Sequence, residues 1–396
     1  MNEGTTTNLL RLIGVPGTNK VMAGELSRLV GRALGHVRLP VPAKEGLGAL
    51  TYPFDLETAA LAVRYHRTAS RVLWGLFQSR AARLEPLYDD LLAAMSAEVR
   101  PWFREGTTFS VSPANTRSFA AGGRQMVGVV KNAVIGGAAR QGVRLTVDPE
   151  NPDVFLEVRM HEDVVTVSVD LAGRPMNQRG YREEAGTAPL RENLAAVLVM
   201  LARYDARREV LVDPLAGSGT IAIEAACMAQ GRPVWVVPRE PAARRLAPFA
   251  EALAGPARAL FADARPLVVA NELDPRTHAS ARRNVANAGV GEFVESWSGD
   301  FRRLDPRRIR ERATKLGFNP DRGVIVSNPP YGERLDPGEL GELYGDLGRW
   351  CRQLRGWRAA FLVANAEFPS AFGGRPRIKK PLKNGPLLGY FYLYDL

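Results

Sequence analysis

Asn328-Pro329-Pro330-Tyr331 directly follows Gly323-Val324-Ile325-Val326-Ser327, a run that reads as a short buried strand. Two prolines are a poor choice for the stability of a strand exit. Proline has no N–H for a ladder, fixes its own φ and pushes the preceding residue toward extended geometry. The product is a stiff loop end with backbone carbonyls held outward and the Asn328 amide oxygen beside them. These acceptors suit a grip on an exocyclic –NH2 of a flat base, with Tyr331 stacked on the ring. On its own the tetrapeptide is also a plain Asn-Pro turn signal, so the elements around it decide.

Residues 210–226 read strand, tight loop, helix. Gly217 and Gly219 let the backbone approach a ligand closely, and the helix start at Thr220 presents free N–H groups. Gly217 to Ala222 fits a loose dinucleotide fingerprint. Asp213, at the strand end before the glycines, would repel a pyrophosphate and suits a cationic amino-acid group instead. A second strand, Leu267 to Asn271, ends in Glu272-Leu273-Asp274-Pro275. Glu272 is placed to take two ribose hydroxyls, as the acidic residue of such folds does. Asp274 and Pro275 read as cap and first turn of the next helix, with Gly289 its stop. Glu272 lies 53 residues beyond Gly219, against about 20 in a dinucleotide fold. Residues 232–265, rich in Pro, Ala and Arg, therefore read as an insertion. In Ser298-Gly299-Asp300-Phe301, Asp300 could bond an adenine amino group while Phe301 covers the ring, although a Gly-Asp turn alone explains the piece. All four pieces fall near the C-terminal ends of candidate strands, where open α/β sheets bind ligands.

The order of these pieces resembles class I S-adenosylmethionine-dependent amino-group methyltransferases. That resemblance implies an α/β, Rossmann-like domain with a mostly parallel seven-stranded sheet. Upstream, short strands and helices between Leu9 and Asp170 suggest a small α+β unit. They include a helix over 122–142 and strands at 109–112, 154–158 and 164–170. Arg67-Thr68-Ala69-Ser70-Arg71, Leu87-Tyr88-Asp89, Asp148 with Pro152-Asp153-Val154, Asp170-Leu171-Ala172-Gly173, Arg179-Gly180-Tyr181-Arg182 and Ala188-Pro189-Leu190-Arg191-Glu192-Asn193-Leu194 narrow the likeness. With Asn328 through Leu335, they are similar to the THUMP-containing rRNA/tRNA guanine-N2 methyltransferases, the large-subunit 23S rRNA branch above all. The resemblance runs from about Leu9 to the chain end. It implies an N-terminal ferredoxin-like domain (1–66), a THUMP RNA-binding domain (67–172), a linker (173–192) and the methyltransferase domain (193–396).

The implied reaction is methyl transfer from S-adenosylmethionine to N2 of a guanosine in 23S rRNA, leaving S-adenosylhomocysteine. The alternatives are tRNA as substrate, or a non-catalytic RNA-binding module. Asn328, Pro329, Pro330 and Tyr331 form the expected catalytic set. Asp213, Leu215, Gly217, Ser218, Gly219, Thr220, Glu224, Glu272, Leu273, Asp300, Phe301 and Asn328 form the expected cofactor set. Leu215-Ala216 departs from a Met-Cys or similar pair frequent in relatives. Some relatives carry a second methyltransferase domain; here the chain stops after the strand-like Tyr390-Phe391-Tyr392-Leu393-Tyr394, so one activity is expected. Arg179 to Arg182 reads equally as a functional loop or a turn. The stripe Leu194, Val197, Leu198, Leu201 is an ordinary helical core face.

Composition agrees with a globular chain of 396 residues, enough for two or three domains. No apolar run approaches the roughly 18 residues that cross a bilayer, and the N-terminus lacks a signal-peptide pattern. Cys227 and Cys351 are the two cysteines, which suggests a reduced, cytoplasmic setting and gives no zinc site. His36, His66, His161 and His278 match no ligand spacing, so no metal is expected. The net charge is +11, and residues 185–396 hold 31 basic against 23 acidic side chains. Runs at Arg302-Arg303 with Arg307-Arg308-Ile309-Arg310, and at Arg375 to Lys383, read alone as a solvated face and, beside a base-gripping loop, as nucleic-acid binding, which the THUMP resemblance makes RNA. Nothing in the sequence bears on oligomeric state.

Overall fold

The computed structural model describes residues 5–35, 41–80, 83–97, 103–114, 122–161, 164–182, 190–236, 239–331, 336–384 and 387–396. They form two compact units. One comprises Met1–Ile13, Met22–Met176 and Val237–Ala257; the other comprises Gly14–Val21, Asn177–Val236 and Arg258–Leu396.

The first unit holds eight strands: β1 (Thr5–Gly14), β2 (Lys44–Gly46), β3 (Ala49–Pro53), β4 (Ala69–Arg80), β5 (Thr108–Ala114), β6 (Thr146–Val147), β7 (Val154–His161) and β8 (Val164–Asp170). Helices α1 (Asn19–Leu34), α2 (Leu56–Tyr65), α3 (Leu84–Ala97) and α4 (Gly122–Ala139) alternate with them. The sheet order is β2-β3-β1-β4-β8-β7-β5-β6. Because β4 lies between β1 and β8, the sheet runs unbroken through the 66/67 boundary that the resemblance implies. The middle of the expected insertion, residues 239–257, packs in this unit. Phe249 is buried and meets Trp74 edge-on at 6.0 Å, and Arg64 Nη2 donates to the Leu253 carbonyl at 2.9 Å. Leu246 and Leu253 are buried with it. The proline-rich composition hid these three apolar anchors.

The second unit is built on seven strands: β9 (Val210–Asp213), β10 (Leu267–Glu272), β11 (Val294–Ser298), β12 (Gly323–Ser327), β13 (Arg358–Val363), β14 (Ile378–Asn384) and β15 (Leu387–Asp395). Their order is β11-β10-β9-β12-β13-β15-β14. The first five in that order are mutually parallel; β15 alone runs against them, and β14 pairs antiparallel with β15 and so points the same way as the first five. The expected mostly parallel, seven-stranded sheet is what forms. Helices α5 (Glu192–Leu201), α6 (Thr220–Gln230), α7 (Pro275–Asn287), α8 (Pro306–Lys315), α9 (Pro337–Cys351) and α10 (Phe368–Phe372) accompany it.

Strands covered on both faces must be apolar at every position. β9 and β12 are buried throughout, and their side chains divide between two cores. Leu211, Val268, Val324 and Val326 face one; Val210, Val212, Val269 and Ile325 face the other. Each such burial stabilises by about 1.5–3 kcal/mol. A sheet pinned from both sides gives rigid strand ends. The strand order turns at β9, between β10 on one side and β12 on the other, so a crevice opens at their carboxyl edge.

Candidate active site

Asp213 closes β9 and is buried. Its Oδ1 accepts bonds from the Leu215 N–H at 3.2 Å and from the Ser327 hydroxyl at 2.6 Å. Burial outweighs both and pushes the carboxyl up to about 7, with Glu272 adding to the rise. A buried acid held near neutrality is poised to meet a cation. Ser327 is the last residue of β12, so this bond ties the acid to the residue before Asn328. The glycine loop crosses the same edge with Gly217 at φ 54° and Gly219 at φ 83°. These are left-handed conformations that glycine adopts without strain.

Glu272, ending β10, is half-buried. Its Oε2 accepts the Gly217 N–H at 2.9 Å, and Oε1 accepts the Asp274 N–H at 3.0 Å. An ionised carboxylate has about four acceptor sites, so capacity remains for two hydroxyls. Asn271 is buried beneath it. Its Nδ2 donates to the Pro214 carbonyl at 3.1 Å and the Gly299 carbonyl at 2.9 Å, clamping the loops after β9 and β11. Asp274 caps α7 through the Thr277 N–H at 2.7 Å, and Pro275 is its first residue. Leu273 is 60 % exposed beside these groups and offers an apolar surface. Asp300 accepts the Arg302 N–H at 3.0 Å and keeps a partly exposed carboxylate. Phe301 is only 3 % exposed and lies edge-on against Trp350 in the core. Its ring face is therefore sheltered, unlike the covering ring that the sequence suggests.

At the exit of β12, Asn328 Oδ1 is buried with no hydrogen-bond donor among the described residues. An unmet buried acceptor costs about 1–3 kcal/mol, so a fold keeps one for a reason. The loop that holds it is fixed: the Tyr344 hydroxyl donates to the Pro330 carbonyl at 2.7 Å. Asn384 Nδ2 donates to the Tyr331 hydroxyl at 3.3 Å and sets the ring, which is half-buried. Gly332 to Leu335 lie outside the described residues.

Glu224 does not belong with the cofactor groups. It has no exposed surface, and Arg179 Nε and Nη2 reach its two oxygens at 3.2 and 3.4 Å. The Tyr181 hydroxyl stands 3.5 Å away, its own ionisation pushed far up by burial and then by Glu224. One turn into α6, the side chain points to the core. Arg179 and Tyr181 are thus structural, which settles half of the ambiguity at 179–182. Arg182 is different: its Nη2 donates to Thr220 Oγ1 at 2.8 Å and pairs with Glu192 at 3.5 Å. Thr220 is buried in turn, 3.3 Å from the Ser218 hydroxyl. Sequence reasoning missed Ser327, Asn271, Tyr344 and Asn384, because each acts on a partner distant in the chain.

Cys227 and Cys351 are both buried, and burial pushes the Cys351 thiol far up. Among the described residues, no group of three or more His, Cys, Asp or Glu could hold a metal. No helix among them is long and apolar enough to cross a membrane.

Residues 179–391 match the RMKL-like methyltransferase domain family, and residues 88–170 match the THUMP domain. A curated relative from Pseudomonas entomophila (strain L48), ribosomal RNA large subunit methyltransferase K/L, is 32 % identical over 363 residues. That alignment covers 87 % of this chain and 47 % of the relative; the chain spans about half the length of the curated relatives it matches. Among solved structures, SMU.472 in its complex with SAH superposes with a TM-score of 0.80 at 24 % identity, covering 99 % of this chain and 98 % of that one. A Listeria monocytogenes str. 4b F2365 protein named as a predicted N6-adenine-specific DNA methylase gives 0.79 at 24 %, covering 98 % and 96 %. At these identities the structural likeness is one of fold.

Proposed function

The chain belongs to the RMKL-like methyltransferase domain family, and from that premise we propose that it transfers a methyl group from S-adenosylmethionine to the exocyclic N2 of a guanosine in 23S rRNA. The observation that carries the reading is the buried Asn328 Oδ1 at the carboxyl edge, unmet among the described residues and one residue from the Ser327–Asp213 bond. The THUMP match and the name of the curated relative support RNA, and rRNA in particular, as the partner.

The residues fit the cofactor. Asp213 receives an ammonium group, the Gly217–Gly219 loop gives close backbone approach, and Glu272 has capacity for ribose hydroxyls. Leu273 and Asp300 remain to bracket an adenine. When bound, S-adenosylmethionine supplies a methyl already activated by its sulfonium. What the chain contributes is position, with reacting atoms held roughly 3 Å apart. The guanine amino lone pair is delocalised into the ring and is a weak nucleophile. Asn328 Oδ1 and the Pro329 carbonyl accept its two N–H bonds, which draws the nitrogen toward tetrahedral geometry and aims the lone pair. Tyr331 stacks on the base, a contact of about 1–3 kcal/mol. The base leaves any helix it occupies, as base-modifying enzymes require. No strong general base is needed, because the proton becomes acidic once the nitrogen is alkylated.

The test is transfer of labelled methyl to separate unmodified 23S rRNA and tRNA fractions. Label in 23S rRNA is expected. Label confined to tRNA would move the substrate, and label in neither would overturn the reading.

A further inference from the structure

The first unit carries an open cleft of about 640 Å³ lined by Arg174, Arg239, Arg244 and Arg245, with Phe155 and Asn151 among its walls. Two glutamates, Glu150 and Glu240, share the lining, so cations are in excess. The arginines come from two places in the chain: Arg174 from the turn after β8, the others from the segment that returns between β9 and β10. That turn is built. Asp170 Oδ1 accepts the N–H groups of Ala172 and Gly173 at 3.0 and 3.2 Å, and its other oxygen pairs with Arg71 at 2.7 Å. Gly173 has φ 73°, and a Cβ there would stand 2.6 Å from the Ala242 Cβ and 3.0 Å from the Phe155 ring. Only glycine lets the turn close on residue 242 and bring both sets of arginines to one lip.

Three of the four charges at this lip, on Arg174, Arg244 and Arg245, are available. Arg174 is exposed and has no acidic partner among the described residues. Arg244 pairs with Glu240, and Arg245 lies 3.9 Å from Asp153 while donating to the Pro152 carbonyl at 3.0 Å. All four of these ion-pair side chains are 41–56 % exposed. Exposed pairs are worth about 0–1 kcal/mol, so either arginine can turn to a phosphate. The two basic runs legible in the sequence also hold ion pairs and ring contacts. Arg302 pairs with Asp346, Arg310 with Asp321 and Arg377 with Asp395, while Arg308 covers Trp297 and Lys379 covers Tyr390.

We infer that this cleft binds the backbone of single-stranded RNA, its arginines on successive phosphates and the half-exposed Phe155 ring taking a base. The volume exceeds what a single phosphate needs, and cations beside an aromatic are the chemistry of sequence-tolerant single-strand binding. The inference rests on RNA being the partner, but not on which base is methylated.

The experiment titrates the whole chain with a short, guanine-free, fluorescein-labelled single-stranded RNA at several salt concentrations. Lacking guanine, the probe reads binding apart from methyl transfer. For Arg174→Glu/Arg239→Glu, affinity should fall at least about tenfold. The slope of log K against log salt should flatten by about 1.4, at about 0.7 for each phosphate no longer neutralised. Arg174→Lys/Arg239→Lys should retain affinity within about threefold, which also serves if the glutamate variant unfolds by circular dichroism. Arg207→Glu/Lys315→Glu, the same charge change elsewhere, is the control. If the cleft variant loses no more than this control, or the lysine variant loses as much as the glutamate one, the inference is overturned.

Discussion

Two buried polar clusters of the second unit make opposite use of burial. At Arg179, Tyr181 and Glu224 every group faces a partner: the carboxylate meets the guanidinium and the hydroxyl, and none of them reaches solvent. At the exit of β12, Asn328 Oδ1 is equally hidden and meets no donor among the described residues. The first cluster is closed and holds α6 in place. The second is left incomplete by the fold, although Tyr344 and Asn384 fix the loop around it. Between these two clusters the difference is whether the buried polar group meets a partner among the described residues, not only whether it is charged.

That contrast predicts different losses. Glu224→Ala leaves the Arg179 guanidinium buried without its carboxylate, and should lower folding stability by about 3–5 kcal/mol in urea titrations. Asn328→Ala should do the reverse. Stability stays level or rises, S-adenosylhomocysteine affinity stays within about threefold, and methyl transfer drops on the order of 10²–10³-fold, as when one preorganised hydrogen-bonding group is removed from a reacting centre. Equal stability losses in the two variants would erase the distinction.

Asp213 lies between the extremes, since it is satisfied yet strained by burial. Its carboxyl is raised from 3.8 to about 7, so the folded chain holds that proton more tightly than the unfolded chain. Ligand-free stability should therefore fall as pH rises through this window. A bound ammonium favours the carboxylate. Cofactor affinity should then strengthen about tenfold from about pH 6 to about pH 8, with proton release visible by calorimetry in buffers of different ionisation heat. Asp213→Asn should be flat over that range; a pH-independent wild type would remove Asp213 from the cofactor site. The smallest expected effect is Tyr344→Phe, which deletes one bond to the Pro330 carbonyl. It should lower stability by about 0.5–1.5 kcal/mol, with a fall in transfer rate larger than that in cofactor affinity.

Much of the second unit was legible because its central strands are apolar over most of their length. β9, β10 and β12 stand out from their neighbours, and the groups at their ends follow in order. Helix α8 was not legible. Arg307, Arg308, Arg310 and Arg312 crowd its sequence, and only Pro306, Ile309 and Ala313 form its buried stripe. Glu224 was misplaced because it follows the glycine loop, while the partner that claims it lies 45 residues upstream. The Ser327–Asp213 bond joins residues 114 apart, beyond any local pattern. The cleft in the first unit was hidden for the same reason: Arg174 and Arg239 line it together only because the chain returns there after β9. Local chemistry and strand ends can be read from sequence; the pairing of distant polar side chains cannot.

The central claim is that Asn328 grips a guanine amino group, and product identity tests it most directly. Unmodified 23S rRNA would be treated with S-adenosylmethionine and either wild type or Asn328→Ala, then digested to nucleosides for mass spectrometry. The account predicts N2-methylguanosine from wild type, and on the order of 10²–10³-fold less from the variant. N6-methyladenosine as the product, or N2-methylguanosine at equal rates from both proteins, would contradict it.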